Sequence, residues 1–230
     1  GLSALSGLAI LGNWGVYIWA IENNYVTESS LGYFVVPLLT AMAGIWFFKE
    51  PLNRFTVVSL IMAGCGVLYL AVSYGRIPYI ALAVALTYNS YIVLHKYSAV
   101  PPMAGLFAET LLFAPFALGY LIFLGVKGQL GFVSAPPPTL GLLLLVGVVT
   151  LVPLYSTLVA QKYISMVALG IINYLSPALQ LLIGVLVYRE VFTIHHAVTL
   201  SAVLASLVVF TIGQLKSAKA PKPARQPAQP

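Results

Sequence analysis

Pro37-Leu38-Leu39-Thr40-Ala41-Met42-Ala43-Gly44-Ile45-Trp46-Phe47-Phe48-Lys49-Glu50 returns later as Pro177-Ala178-Leu179-Gln180-Leu181-Leu182-Ile183-Gly184-Val185-Leu186-Val187-Tyr188-Arg189-Glu190, a shift of 177 − 37 = 140 residues. A proline, a glycine and a basic residue followed by glutamate keep one register. Working outward without a gap, Ala20, Val58 and Leu60 recur as Ala160, Val198 and Leu200. Self-similarity at a fixed offset is the signature of a duplicated unit. The shift carries the second apolar span of the chain onto the seventh. Five spans is an odd number, so the copies cross the bilayer in opposite directions, with Glu50 at the cytoplasmic edge and Glu190 at the outer edge. This inverted-topology repeat is the architecture of secondary transporters, whose site lies between the copies.

The medium follows from composition. The 230 residues are 60% hydrophobic and 7% charged, with a mean hydropathy of +0.98; soluble domains run near half apolar and about a quarter charged. A bilayer core of roughly 30 Å demands about 20 apolar residues per helix, because each backbone polar group must be paired inside it. Eight such spans are expected, at about 3–21, 29–48, 55–73, 78–94, 103–125, 139–160, 166–188 and 194–213. The fold class is therefore all-α and polytopic. Residues 1–76 form a first copy of three spans and 77–213 a second copy of five. Residues 214–230, with Lys216, Lys219, Lys222, Arg225 and four prolines, read as a disordered basic cytoplasmic tail.

Short cytoplasmic loops carry the excess of Lys and Arg. Lys49, Arg54, Lys96, Lys162 and the four tail charges lie on one side; Arg76, Lys127 and Arg189 lie on the other. Both termini are thus expected in the cytoplasm, with the chain in the inner membrane. The net charge of +6 suits a membrane face and is too thinly spread for nucleic acid. Cys65, the one cysteine, excludes an intrachain disulfide and is expected to pack within its helix.

Asn13-Trp14-Gly15-Val16-Tyr17-Ile18-Trp19-Ala20, Ser30-Leu31-Gly32-Tyr33-Phe34-Val35-Val36-Pro37-Leu38 and Lys49-Glu50-Pro51-Leu52 carry a family resemblance. With them stand Glu109-Thr110-Leu111-Leu112, Gly147-Val148-Val149-Thr150-Leu151-Val152-Pro153-Leu154 and Tyr174-Leu175-Ser176-Pro177-Ala178-Leu179-Gln180. The set resembles the RarD-type (chloramphenicol-sensitivity) branch of the EamA-like drug/metabolite transporter superfamily. The resemblance implies ten helices in two inverted five-helix bundles around a central cavity, acting as a permease. Eight spans fall two short of that number, so two further helices are expected before Gly1.

Polar side chains inside spans are costly and mark function by default. Glu109 stands foremost: counted from residue 103 it lies roughly 10 Å beyond the cytoplasmic edge at 1.5 Å per residue. No basic residue is expected inside any span to neutralise it, so it is the candidate for proton coupling, binding a proton on one face and losing it on the other. Asn13, Tyr17, Tyr33, Tyr88, Asn89, Asn173 and Tyr174 are the candidate substrate-binding residues. Phenols and amides suit an amphipathic or aromatic small organic solute, since rings give contact area and polar tips orient it. Tyr33 and Asn173 occupy equivalent positions in the two copies. Pro37 and Pro177, also equivalent, each remove a backbone donor and are the candidate gating hinges. Lys49-Glu50 and Arg189-Glu190 are expected to cap and anchor span ends.

Catalysis has no foothold. There is no Asp for an intramembrane aspartyl protease, and no H-E-x-x-H or phosphate-binding loop. His195 and His196 are adjacent, so on a helix they point about 100° apart, with no third ligand for a metal. Neither cofactor nor metal is expected. The partners are the bilayer, a small solute and protons. Two other classes fit the same composition: a channel-like pore, which would show rings of charge or a repeated filter, and a non-transporting assembly protein.

Overall fold

The computed structural model describes residues 1–73, 75, 77–131, 135–179 and 193–219. Among them run eight helices: α1 Leu2–Glu22, α2 Val26–Trp46, α3 Arg54–Ser73, α4 Tyr79–Tyr97, α5 Pro102–Val126, α6 Pro137–Tyr163, α7 Met166–Asn173 and α8 Ile194–Lys219. Six of them, α1, α2, α3, α5, α6 and α8, are long and apolar enough to cross a membrane.

The starts are written in the sequence. Pro102 and Pro137 open α5 and α6 at first-turn positions, where a missing N–H leaves nothing unpaired. Asn53 Oδ1 accepts the Thr56 N–H at 2.8 Å ahead of α3, and Ser165 Oγ accepts the Ala168 N–H at 3.1 Å ahead of α7. Both are side-chain caps of the preferred kind. The ends are less regular: after α2 the chain turns through Lys49 at φ 51°, and the Glu50 N–H returns to the Gly44 carbonyl at 3.1 Å.

The helix starts obey the repeat. Val26 and Met166 open α2 and α7, and Arg54 and Ile194 open α3 and α8, each pair 140 positions apart (166 − 26 and 194 − 54). Each mate packs on its partner, and both pairs run antiparallel. A Cβ built on Gly44 would meet Val167, and one on Gly170 would meet the Pro37 carbonyl and Ala41. Along the other pair, Gly213 faces Phe55, Gly66 faces Ala202, and Tyr69 reaches His195.

α4 sits at the centre, packed on α1 and α2 and touching α6. It is also the long helix that carries Thr87, Tyr88, Asn89, Ser90, Tyr91, His95 and Lys96, so it is too polar to be counted among the six. Polarity in a membrane helix is tolerated where protein rather than lipid surrounds it. α5 and α6 are the opposite case, almost entirely unburied and lined with leucine, valine and phenylalanine. Hydrocarbon chains are as apolar as these side chains, so such faces belong against lipid.

Four expectations change. The seventh span, expected unbroken over 166–188, is interrupted at Tyr174 before resuming to Leu179. Pro177 has no N–H for the Asn173 carbonyl, which opens the helix one turn upstream; positions 180–188 lie outside the described residues. Pro37, its equivalent, sits inside an uninterrupted α2, buried against α7. The tail expected to begin at Gln214 is helical as far as Lys219. Basic residues favour the C-terminal end of a helix dipole. Cys65 is exposed on α3 rather than packed. Arg76, Arg189, Glu190 and positions 220–230 also lie outside the described residues.

Candidate functional site

α1, α2 and α4 bring tyrosines together. Tyr17 and Tyr33 meet edge to face, ring centroids 5.7 Å apart at 76°, and Tyr33 lies near Tyr88. Tyr88 lies beside Thr157 on α6. Its ring centroid is 6.4 Å from that of Tyr91, and Tyr91 stands 4.7 Å from the His95 ring. Residues 88, 91 and 95 share one helix face by their spacing of three and four. The result is a file of rings along α4: Tyr17, Tyr33, Tyr88, Tyr91, His95.

Glu109 closes the file. His95 Nε2 is 2.7 Å from Glu109 Oε1, and the Ser6 hydroxyl also bonds that oxygen. All three side chains are buried. The reading that no basic residue lies inside a span beside Glu109 is therefore corrected: His95 stands against it. The apolar window ends at residue 94, but the helix runs on to Tyr97 and carries His95 inward beneath α5. α5 makes room for it with Gly105, where a Cβ would stand 2.9 Å from His95 Cε1. Glu109 follows one turn later on the same face.

The other candidates divide. Asn13 is buried, and its amide nitrogen donates to the Val84 carbonyl at 2.8 Å and to Thr87 Oγ1 at 3.1 Å, locking α1 to α4. Asn89 neighbours the file with its Oδ1 buried and without a partner among the described residues. Tyr174 is fully buried in a separate cluster with Phe34, Ala63, Val67 and Val203, its hydroxyl unpartnered among the described residues. Asn173, half-buried, ends α7 just before the break.

Charged groups at the Lys49 end of the bundle serve helix termini. Glu50 accepts the Met166 N–H at 2.6 Å and the Val167 N–H at 2.8 Å, capping α7 as expected of it. Lys96 donates to the Gln161 carbonyl and, at 3.2 Å, to that of Ile164 at the end of α6. Lys162 donates to the Ser98 carbonyl at 2.7 Å and to that of His95 at 3.4 Å, at the end of α4. This reciprocal clamp, and Glu28 accepting the Ile80 N–H at 2.9 Å at the start of α4, were not anticipated. Each pairs a charge with the helix end whose dipole suits it. Among the described residues no group of three metal-ligating side chains occurs.

Residues 77–212 match the EamA-like transporter family, more than half of the chain. The chain belongs to the EamA-like transporter family. It is 40% identical over 218 residues to the protein named "Uncharacterized transporter YojE" of Bacillus subtilis (strain 168), covering 95% of this chain and 72% of that protein. To "Protein RarD" of Streptomyces exfoliatus it is 36% identical over 231 residues, 100% of this chain and 73% of the relative. "Chloramphenicol-sensitive protein RarD" of Pseudomonas aeruginosa is 31% identical over 188 residues, 82% of this chain and 62% of the relative. This member of the EamA-like family is thus of the RarD type, a multi-pass membrane transporter that acts on a small molecule.

Proposed function

We propose that the chain moves a small amphipathic or aromatic organic solute across the inner membrane by alternating access, with both termini in the cytoplasm and Glu109 carrying a coupled proton. The observation that carries this reading is the ring file from Tyr17 to His95. Tyr17 and Tyr33 belong to the first copy, Tyr88, Tyr91 and His95 to the second, so the file lies along the seam between copies. A solute held there is released to one face or the other as the copies rock. The tyrosine faces give area, and the hydroxyls orient the guest. Glu109, at the end of the file, senses occupancy through Tyr91 and His95.

Counterflow is the test. Radiolabelled chloramphenicol is the first probe, since a relative's name refers to sensitivity to it, and a panel of aromatic amphiphiles follows. Proteoliposomes preloaded with unlabelled solute should take up label faster than empty ones. Tyr33→Ala should abolish this while membrane abundance stays unchanged. Equal uptake with and without preloading would mean a pore; no solute-dependent uptake across the panel would leave an assembly role.

A further inference from the structure

We infer that His95 and Glu109 form one proton-binding unit, holding a single exchangeable proton between imidazole Nε2 and carboxylate Oε1. The inference rests on the proposed transport reading and adds His95 to it as the residue that shares the coupled proton. Its basis is geometric. The two atoms are 2.7 Å apart in a buried setting, and α5 is shaped for the imidazole by Gly105 one turn before Glu109. Two arrangements of the shared proton leave the pair uncharged overall: neutral imidazole with carboxylic acid, or imidazolium with carboxylate. Losing that proton leaves one negative charge in a poorly hydrated place, so loss belongs with a change that admits water.

Ser6 is suited to both states. Its one hydroxyl hydrogen has two acceptors, Glu109 Oε1 and the Ser3 carbonyl at 3.2 Å. Turned to Glu109 it stabilises a carboxylate; turned to Ser3 it withdraws that donor from the oxygen that shares its proton with His95.

Other titratable and charged groups near the pair among the described residues are Tyr91 and Lys96 on α4, Lys162 on α6, and Glu50, which faces Lys96. Tyr91 meets the imidazole edge-on at 4.7 Å and 62°, and its hydroxyl has no partner among the described residues. The ammonium groups of Lys96 and Lys162 rest on helix-end carbonyls. His95 is thus the basic group bonded to the Glu109 carboxyl among the described residues. Tyr91 then links the pair to Tyr88 and the solute-facing rings.

The chain holds five Glu and no Asp, so the infrared carboxylic-acid band is simple to assign. In lipid vesicles, the full chain should show such a band changing with pH, and Glu109→Gln should lose it. His95→Gln keeps an Nε2–H donor but cannot titrate, so a merely structural histidine would be rescued by it. Coupled sites shift each other by about one unit or more, and the band's midpoint in His95→Gln should move by at least that. Nitrogen-15 spectra of wild type and Glu109→Gln need no His95 variant and should show the reciprocal change in the His95 titration. A midpoint unchanged in either comparison, or a band that survives Glu109→Gln, overturns the proposal. No solute enters these measurements, so they stand or fall apart from the counterflow result.

Discussion

A methyl group at Gly170 would stand 2.5 Å from the Pro37 carbonyl oxygen and 2.7 Å from the Ala41 nitrogen. Both neighbours are backbone, so neither can turn aside. Gly170→Ala should therefore force α2 and α7 apart and destabilise the chain by about 1–3 kcal/mol, the usual range for overpacking, read from unfolding in mixed micelles. Gly15→Ala, with nothing near its added Cβ, is the control and should change little. At this scale the sequence was informative about identity and poor about direction. Tyr17, Tyr33 and Tyr88 do gather, because phenols in a bilayer seek one another and protein. Tyr174 does not join them: the helix break that Pro177 causes turns it into an apolar cluster. Asn13 was legible as a buried polar group, but whether its amide meets a solute or a neighbouring helix depends on the rotation of α1, which an apolar helix encodes weakly.

Helices, by contrast, were largely written in the chain. The bilayer forces each span to be long and apolar, and the proline and asparagine punctuation places the starts of α3, α5 and α6 within a few residues. What apolarity does not mark is where a helix continues past the hydrocarbon. The three residues from His95 to Tyr97 fell outside the span for that reason, so His95 reads from the sequence as a span-end histidine rather than as a partner of Glu109. The spacing of Tyr88, Tyr91 and His95 on one face was the available signal. Glu50 presents the clearest element-scale test. It holds two N–H groups at the start of α7, and losing a cap of this kind costs about 1 kcal/mol. Glu50→Ala should loosen α7, seen as faster hydrogen exchange at Met166 and Val167, while exchange in α3 stays as it was.

For the whole molecule, the proposed inversion of the two copies predicts Lys49 and Arg189 at opposite membrane faces. After Cys65→Ala removes the exposed native thiol, Lys49→Cys should react with an impermeant maleimide only from the cytoplasm, and Arg189→Cys only from outside. Labelling of both from the same side would dissolve the symmetry. The all-helical, many-span plan was readable because a bilayer demands long apolar segments. The centrality of α4 was not, because nothing in a single helix says which neighbours it keeps.

Lys96 and Lys162 bind each other's helix end, so the last turns of α4 and α6 are tied in both directions at once. Neither tie is an ion pair between side chains. A tilt of one helix must drag the other, and the two behave as a yoked beam rather than as independent rods. The rings of α4 and Thr157 of α6 then travel together, and whatever rests between them is carried along by its walls.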